Sequence, residues 1–159
     1  MKPARFDYYS PSSRDEALEL LGQYGDDAKI LAGGQSLMPM MNMRLVRPKV
    51  VIDINRIAGL SHISPRRDAG LAIGAMTRQR ELERSALVLE TAPLLSWAIP
   101  YIGHFQIRNR GTVGGSLAHS DPAAEIPAVC LTLETEFELA NSGGERTVKA
   151  EDFFLNHLT

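Results

Sequence analysis

Cys130 is the only cysteine in 159 residues, so no disulfide forms within the chain and a thiolate zinc cluster is excluded. Such usage fits a reducing compartment, and the cytoplasm is the expected location. Positive charge is not in excess: 17 Lys and Arg stand against 19 Asp and Glu, a formal net charge of −2. That balance gives no reason to expect nucleic acid as a partner. No apolar run approaches bilayer-spanning length, so no membrane span is expected. The opening MKPARFDYYSPSSRDEALEL has no apolar region of the kind a secretory signal carries. His62, His104, His119 and His157 are scattered without an HExxH pattern, which predicts no metal site.

The remaining composition, 44% hydrophobic and 23% charged, is that of a globular protein of one domain or two small subdomains. Ser13-Arg14-Asp15-Glu16 has capping-box spacing, followed by Ala17, Leu18, Leu21 and Tyr24 at helical intervals, with Gly25 as the stop. Lys29 to Ala32 reads as a buried strand that breaks at Gly33-Gly34. The Leu- and Met-rich stretch from Ser36 to Leu45 reads as a helix, with Pro39 in its early turns. Val50 to Ile54 is a second β-branched strand. This order is a βαβ unit, so the two strands are expected to be parallel.

Further on, Leu71 to Ala75 predicts a strand, and Thr77 is placed to cap a helix leading into Glu81. A helix from Thr91-Ala92-Pro93 through Trp97, interrupted at Pro100, and an apolar helix from Ile126 to Leu133 follow. Glu136–Ala140 and Arg146–Val148, joined by Asn141-Ser142-Gly143-Gly144, read as a hairpin. Cys130 reads as a small buried hydrophobe, Met38, Met40, Met41 and Met43 as adaptable core packing, and Arg108 and Arg110 as solvated charges, with a phosphate or a partner subunit as their alternative partner.

Two glycine pairs carry the chemistry. LAGGQS from Leu31 ends a strand and opens a helix, which lets backbone N–H groups approach an anion without a Cβ in the way. The helix end adds about 0.3–1 kcal/mol of favourable field. GTVGGS from Gly111 repeats the pattern, with Thr112 and Ser116 supplying hydroxyls. Neither spells G-x-x-x-x-G-K-[ST] nor G-x-G-x-x-G. Two such turns could clamp a pyrophosphate, one turn per phosphate, although spacing alone leaves a pair of plain tight turns as the alternative. Glu125, a carboxylate near such a site, suits a ribose hydroxyl rather than a phosphate. Ser116, His119 and Asp121 crowd into one short stretch and lack the nucleophile-elbow glycine, so a hydrolase triad is excluded.

Together, ILAGGQSLMPMMNMRLVRPKVVIDINRI and IGHFQIRNRGTVGGSLAHSDPAAEIPAV resemble the FAD-binding medium subunit of the molybdenum hydroxylases, the carbon monoxide dehydrogenase and xanthine dehydrogenase family. The likeness runs from Phe6 to Phe154. It implies an α+β FAD-binding fold of the PCMH type, with two α+β subdomains, residues 1–54 and 55–159, and non-covalent FAD between them. By the same resemblance, Ala32, Gly33, Gly34, Gln35, Ser36 and Leu37, with Thr112, Val113, Gly114, Gly115 and Ser116, bind the cofactor. Glu125 matches a position whose acidic residue contacts the cofactor, and Thr77 and Asp121 lie in loops expected to approach it. The family subunit continues into a C-terminal domain, so a truncated chain is expected, in keeping with Phe153 and Phe154 so near its end.

The implied role is oxidoreductase electron transfer. A large subunit oxidises substrate at molybdenum, a small subunit relays electrons through [2Fe–2S] clusters, and the FAD of this subunit passes them to an external acceptor. The alternatives are a stand-alone FAD-dependent oxidase or dehydrogenase and a flavin-free interaction module.

Overall fold

Three short parallel strands organise the N-terminal part of the chain. In the computed structural model, residues 1–67 and 69–155 are described, which leaves His157 outside them. β1 (Asp7–Tyr9), β2 (Ala28–Leu31) and β3 (Val50–Asp53) form a sheet in the order β1-β3-β2. β2 pairs with β3 in parallel register, Ala28 opposite Val50 through Leu31 opposite Asp53, as the βαβ pattern predicts. β3 is the central strand, and Val50, Val51 and Ile52 are all buried. That suits a strand covered on both faces, which reads as a continuous apolar run. β1 was not evident from the sequence: it is three residues long and pairs only with β3, from Asp7 opposite Val50 to Tyr9 opposite Ile52.

α1 (Arg14–Tyr24) packs against β3 through its buried Ala17. Its start is the predicted cap, Ser13 Oγ accepting from the Glu16 N–H at 3.2 Å. The Glu16 carboxylate in turn takes the N–H of Ser12 at 2.9 Å, one residue earlier than a reciprocal box requires. α2 (Leu37–Asn42) follows the first glycine pair. Of its methionines, Met41 is buried, while Met43 just beyond the helix is half exposed.

The described residues divide into two compact units, those of 1–58 with 138–146, and those of 59–137 with 147–155. In the second unit, β4 (Ile63–Pro65) and β5 (Leu71–Ile73) form an antiparallel pair, Ile63 opposite Ile73. Short helices follow: α3 (Gln79–Arg84), α4 (Ala86–Thr91), α5 (Pro93–Ala98), α6 (Phe105–Arg110), α7 (Val113–His119) and α8 (Glu125–Thr132). A 3₁₀ turn at Ile99–Tyr101 carries Pro100, where the α-helix stops. Leu82, Val88, Leu95, Ile99, Ile126 and Val129 form this unit's core, with Cys130 buried beside them as expected. Burial raises the Cys130 thiol pKa, against a weaker opposing hydrogen bond involving Thr135.

β6 (Glu136–Asn141) and β7 (Gly144–Lys149) make the predicted hairpin, its turn closed by Asn141 Oδ1 accepting from the Gly143 N–H at 2.8 Å. α9 (Ala150–Phe153) places Phe153 and Phe154 edge-on to Phe137, at centroid distances of 5.0 and 5.7 Å. Among the described residues, no helix is long and apolar enough to cross a membrane.

Candidate functional site

The first glycine pair leaves the sheet where β2 ends. Leu31 still accepts the last ladder bond, from the Ile54 N–H at 3.2 Å, and the chain then turns away. Each of the next three carbonyls is tied down. Ala32 O accepts from Asn55 Nδ2 at 2.8 Å, Gly33 O from Gln35 Nε2 at 3.1 Å, and Gly34 O from the Met38 N–H at 3.2 Å. In a trans peptide the N–H points opposite to the carbonyl of the same unit. Fixing these three carbonyls therefore aims the N–H groups of Gly33, Gly34 and Gln35 the other way.

Among the described residues, the N–H groups of Gly33, Gly34, Gln35, Ser36 and Leu37 donate to no protein atom. Five successive undonated amides opening into a helix suit an anion with several acceptor oxygens, such as a phosphate group. Gly34 has φ of 73°, a left-handed conformation that lets the run continue without steric cost. The Gln35 side chain does not extend toward a ligand; it folds back onto Gly33 O.

The second glycine pair is built differently. The sequence pattern predicted a matching turn, but Gly114 and Gly115 lie inside the first turn of α7. Thr112 is its N-cap, Oγ1 accepting from the Gly115 N–H at 3.1 Å, and Thr112 O accepts from the Ser116 N–H at 3.1 Å. Val113 N–H donates to Thr77 O at 3.1 Å and Gly114 N–H to Ala75 O at 2.8 Å. The four leading amides of α7 are thus engaged within the protein. A glycine stands at 114 because a Cβ there would come within 2.7 Å of the Ala75 Cβ and 2.9 Å of its carbonyl oxygen. Close backbone packing against the Ala75–Gln79 segment, rather than anion approach, explains that glycine.

Thr77 is fully buried, its hydroxyl donating to His62 O at 2.9 Å and accepting from the His62 N–H at 3.1 Å. It therefore braces β4 and does not cap α3, whose N-cap is Arg78. Asp121 uses Oδ1 to close a local turn, accepting from the Ala123 N–H at 2.9 Å. Among the described residues, the half-buried Ser116 hydroxyl and Glu125 carboxylate have no protein partner, which leaves both able to meet a ligand.

Arg108 corrects the expectation of a solvated charge. It is buried and pairs with Glu83, Nε to Oε2 at 3.0 Å, while Nη1 donates to the carbonyls of Ile102 and Gly103 at 3.1 and 3.0 Å. Arg110 is exposed, as expected. Residues 4–159 match the family described as the FAD binding domain in molybdopterin dehydrogenase. The chain belongs to that family. FAD is accordingly its cofactor.

The chain is 48% identical to the 6-hydroxypseudooxynicotine dehydrogenase complex subunit alpha of Paenarthrobacter nicotinovorans, covering 99% of this chain and 53% of that protein. It is also 48% identical to the carbon monoxide dehydrogenase medium chain of Hydrogenophaga pseudoflava, covering 98% and 54%. Its fold matches a solved structure of the Hydrogenophaga pseudoflava carbon monoxide dehydrogenase with a TM-score of 0.97 at 46% identity, over 100% of this chain and 55% of the other. The α+β FAD-binding fold expected from the sequence is therefore the fold observed. The chain spans about half the length of the curated relatives it matches.

Three residues that sequence reasoning passed over bear on the first turn: Tyr8, Asp53 and Asn55. Their local spelling, Asp53-Ile54-Asn55 at the end of a strand, looks like an ordinary Asx turn. Only the fold shows that Asn55 reaches back across 23 residues to Ala32.

Proposed function

We propose that this chain is the FAD-holding part of a molybdenum hydroxylase medium subunit, in which Ala32–Leu37 seats one phosphate of the FAD pyrophosphate. The observation that carries this reading is the run of five undonated amides, the first three of which follow carbonyls held from behind. From the second segment, Thr112–Ser116, the Ser116 hydroxyl is the proposed ligand donor. Glu125 accepts from a ribose hydroxyl, and Thr77, Val113 and Asp121 hold the backbone around them.

When bound, FAD supplies the electron-carrying chemistry, from [2Fe–2S] clusters on a small partner subunit to an external acceptor. This chain's own residues bind, orient and shield; none is assigned a nucleophilic or acid–base role. Substrate is selected on a large molybdenum-bearing subunit in the cytoplasm. The two relatives of equal identity support that division, because one is named for carbon monoxide and the other for 6-hydroxypseudooxynicotine.

Titrating FAD into the flavin-free protein tests the reading. Saturable quenching of flavin fluorescence, competition by ADP and full release of flavin on denaturation are expected. Gly34→Ala must hold φ of 73° with a Cβ 3.2 Å from the Leu31 side chain, a strain of about 1–2 kcal/mol, and should weaken FAD binding roughly tenfold. A protein that leaves the fluorescence of added FAD unchanged overturns the proposal.

A further inference from the structure

The Ala32 carbonyl is held by a side chain that is itself held. Asn55 Nδ2 donates to Ala32 O at 2.8 Å and to Asp53 Oδ1 at 2.6 Å. Both targets are oxygens, so the orientation of the amide is settled and both its N–H bonds are used. The Asn55 backbone N–H also donates to Asp53 Oδ1, at 2.9 Å. The other carboxylate oxygen, Asp53 Oδ2, accepts from the Tyr8 hydroxyl at 2.5 Å. One continuous set of bonds thus runs from β1, through the end of β3, to the first peptide of the glycine turn.

We infer that Asn55, fixed by Asp53 and Tyr8, is the positioning residue that aims the Gly33 N–H at the cofactor phosphate; this rests on the FAD reading above. Without the Asn55 amide, Ala32 O loses its partner, and the Ala32–Gly33 peptide is free to rotate about its two flanking single bonds. The amide then points at the phosphate for only part of the time, and affinity falls by that fraction. Asp53 contributes by preventing the Asn55 amide from turning over. Its negative charge is directed at Tyr8 and Asn55, both donors. Tyr8 is half exposed and remote from the turn, so its removal should act more weakly than that of Asn55.

Four variants test the inference by equilibrium FAD titration, with ADP as competitor. Asn55→Asp keeps the side-chain shape but removes the donor and adds a like charge beside Asp53. Asn55→Ala removes both shape and donor. Each should raise the Kd for FAD about tenfold, with a parallel rise for ADP, since a charge-assisted bond to phosphate is lost from the bound state. Tyr8→Phe should raise it about twofold, the smaller loss expected of a residue two bonds removed. Ala17→Gly, a buried change in α1 outside the turn and outside the Tyr8–Asp53–Asn55 set, should lower Tm and leave the Kd for FAD at its wild-type value.

Asn55→Asp binding FAD as tightly as wild type overturns the inference while leaving the FAD reading intact. So does Ala17→Gly weakening FAD as much as Asn55→Ala, because general destabilisation would then be the cause. A wild-type chain that binds no FAD overturns the parent reading and the inference with it.

Discussion

Gly114 and Gly34 look interchangeable as letters, yet they are constrained by different forces. Gly34 is fixed by its backbone angle, φ of 73°, and its neighbours there are flexible side-chain atoms of Leu31 and Met38. At Gly114 the backbone is plainly helical, and the obstacle is the Ala75 main chain. Gly114→Ala should therefore cost stability of about 1–3 kcal/mol, the usual penalty for overpacking a tight contact, because a carbonyl cannot swing aside as a side chain does. Thermal unfolding of the two proteins would measure it. An unchanged Tm would mean that α7 can shift away from the Ala75–Gln79 segment without loss. The variant is a poor probe of cofactor binding for the same reason, since it alters the fold first.

Among the elements, the joint between α3 and α6 includes an ion pair between Arg108 and Glu83. Arg108 is nearly buried, Glu83 retains 18% of its side-chain exposure, and Arg80 joins them at 2.7 Å. The Arg80 hydrogen bond, reinforced by Arg108 and opposed by burial, holds the Glu83 carboxyl below its ordinary value of 4.5. A carboxyl lowered in the folded state stabilises the fold fully above that ordinary value and loses its contribution as pH falls through the folded one. Urea midpoints should therefore drop more steeply for wild type than for Glu83→Gln below about pH 4.5. Parallel pH profiles would remove this pair from the account. At neutral pH, Glu83→Gln should cost about 1–3 kcal/mol, since Arg108 keeps its carbonyl partners but loses its counter-charge.

The same elements show how far the sequence could be read. β2, β3 and α8 were legible because each is an apolar run bounded by clear breakers. β1 and β4 were not, being three residues each and stabilised by pairing rather than by any pattern of their own. α7 was misread as a turn because two adjacent glycines disfavour a helix, and only packing against Ala75 reverses that preference. In the candidate site, the open amides of the first turn follow from its strand–Gly–Gly–helix spelling. The closed amides of Val113 and Gly114 do not, because their acceptors, Thr77 O and Ala75 O, lie more than thirty residues away in sequence.

For the molecule as a whole, a ligand that binds only the folded state must raise its stability by mass action. At about 100 times its Kd, FAD should add roughly 2.7 kcal/mol, or about 5–10 °C in Tm for a chain of this size. Differential scanning calorimetry across a series of FAD concentrations would show Tm climbing with the logarithm of ligand. A Tm independent of FAD would contradict binding to the native state.

The Asn55 bond to Ala32 O also bears on portability. The five residues from Gly33 to Leu37 contain the donors, but the direction in which the first donor points is encoded outside that segment, in Asn55 and the strands that carry Asp53 and Tyr8. Grafted alone into another strand–helix junction, Ala-Gly-Gly-Gln-Ser would transfer its hydrogen-bonding groups without their aim. A working transplant would have to carry the end of the neighbouring strand as well, so the smallest exchangeable part is a pair of adjacent strand ends rather than a loop.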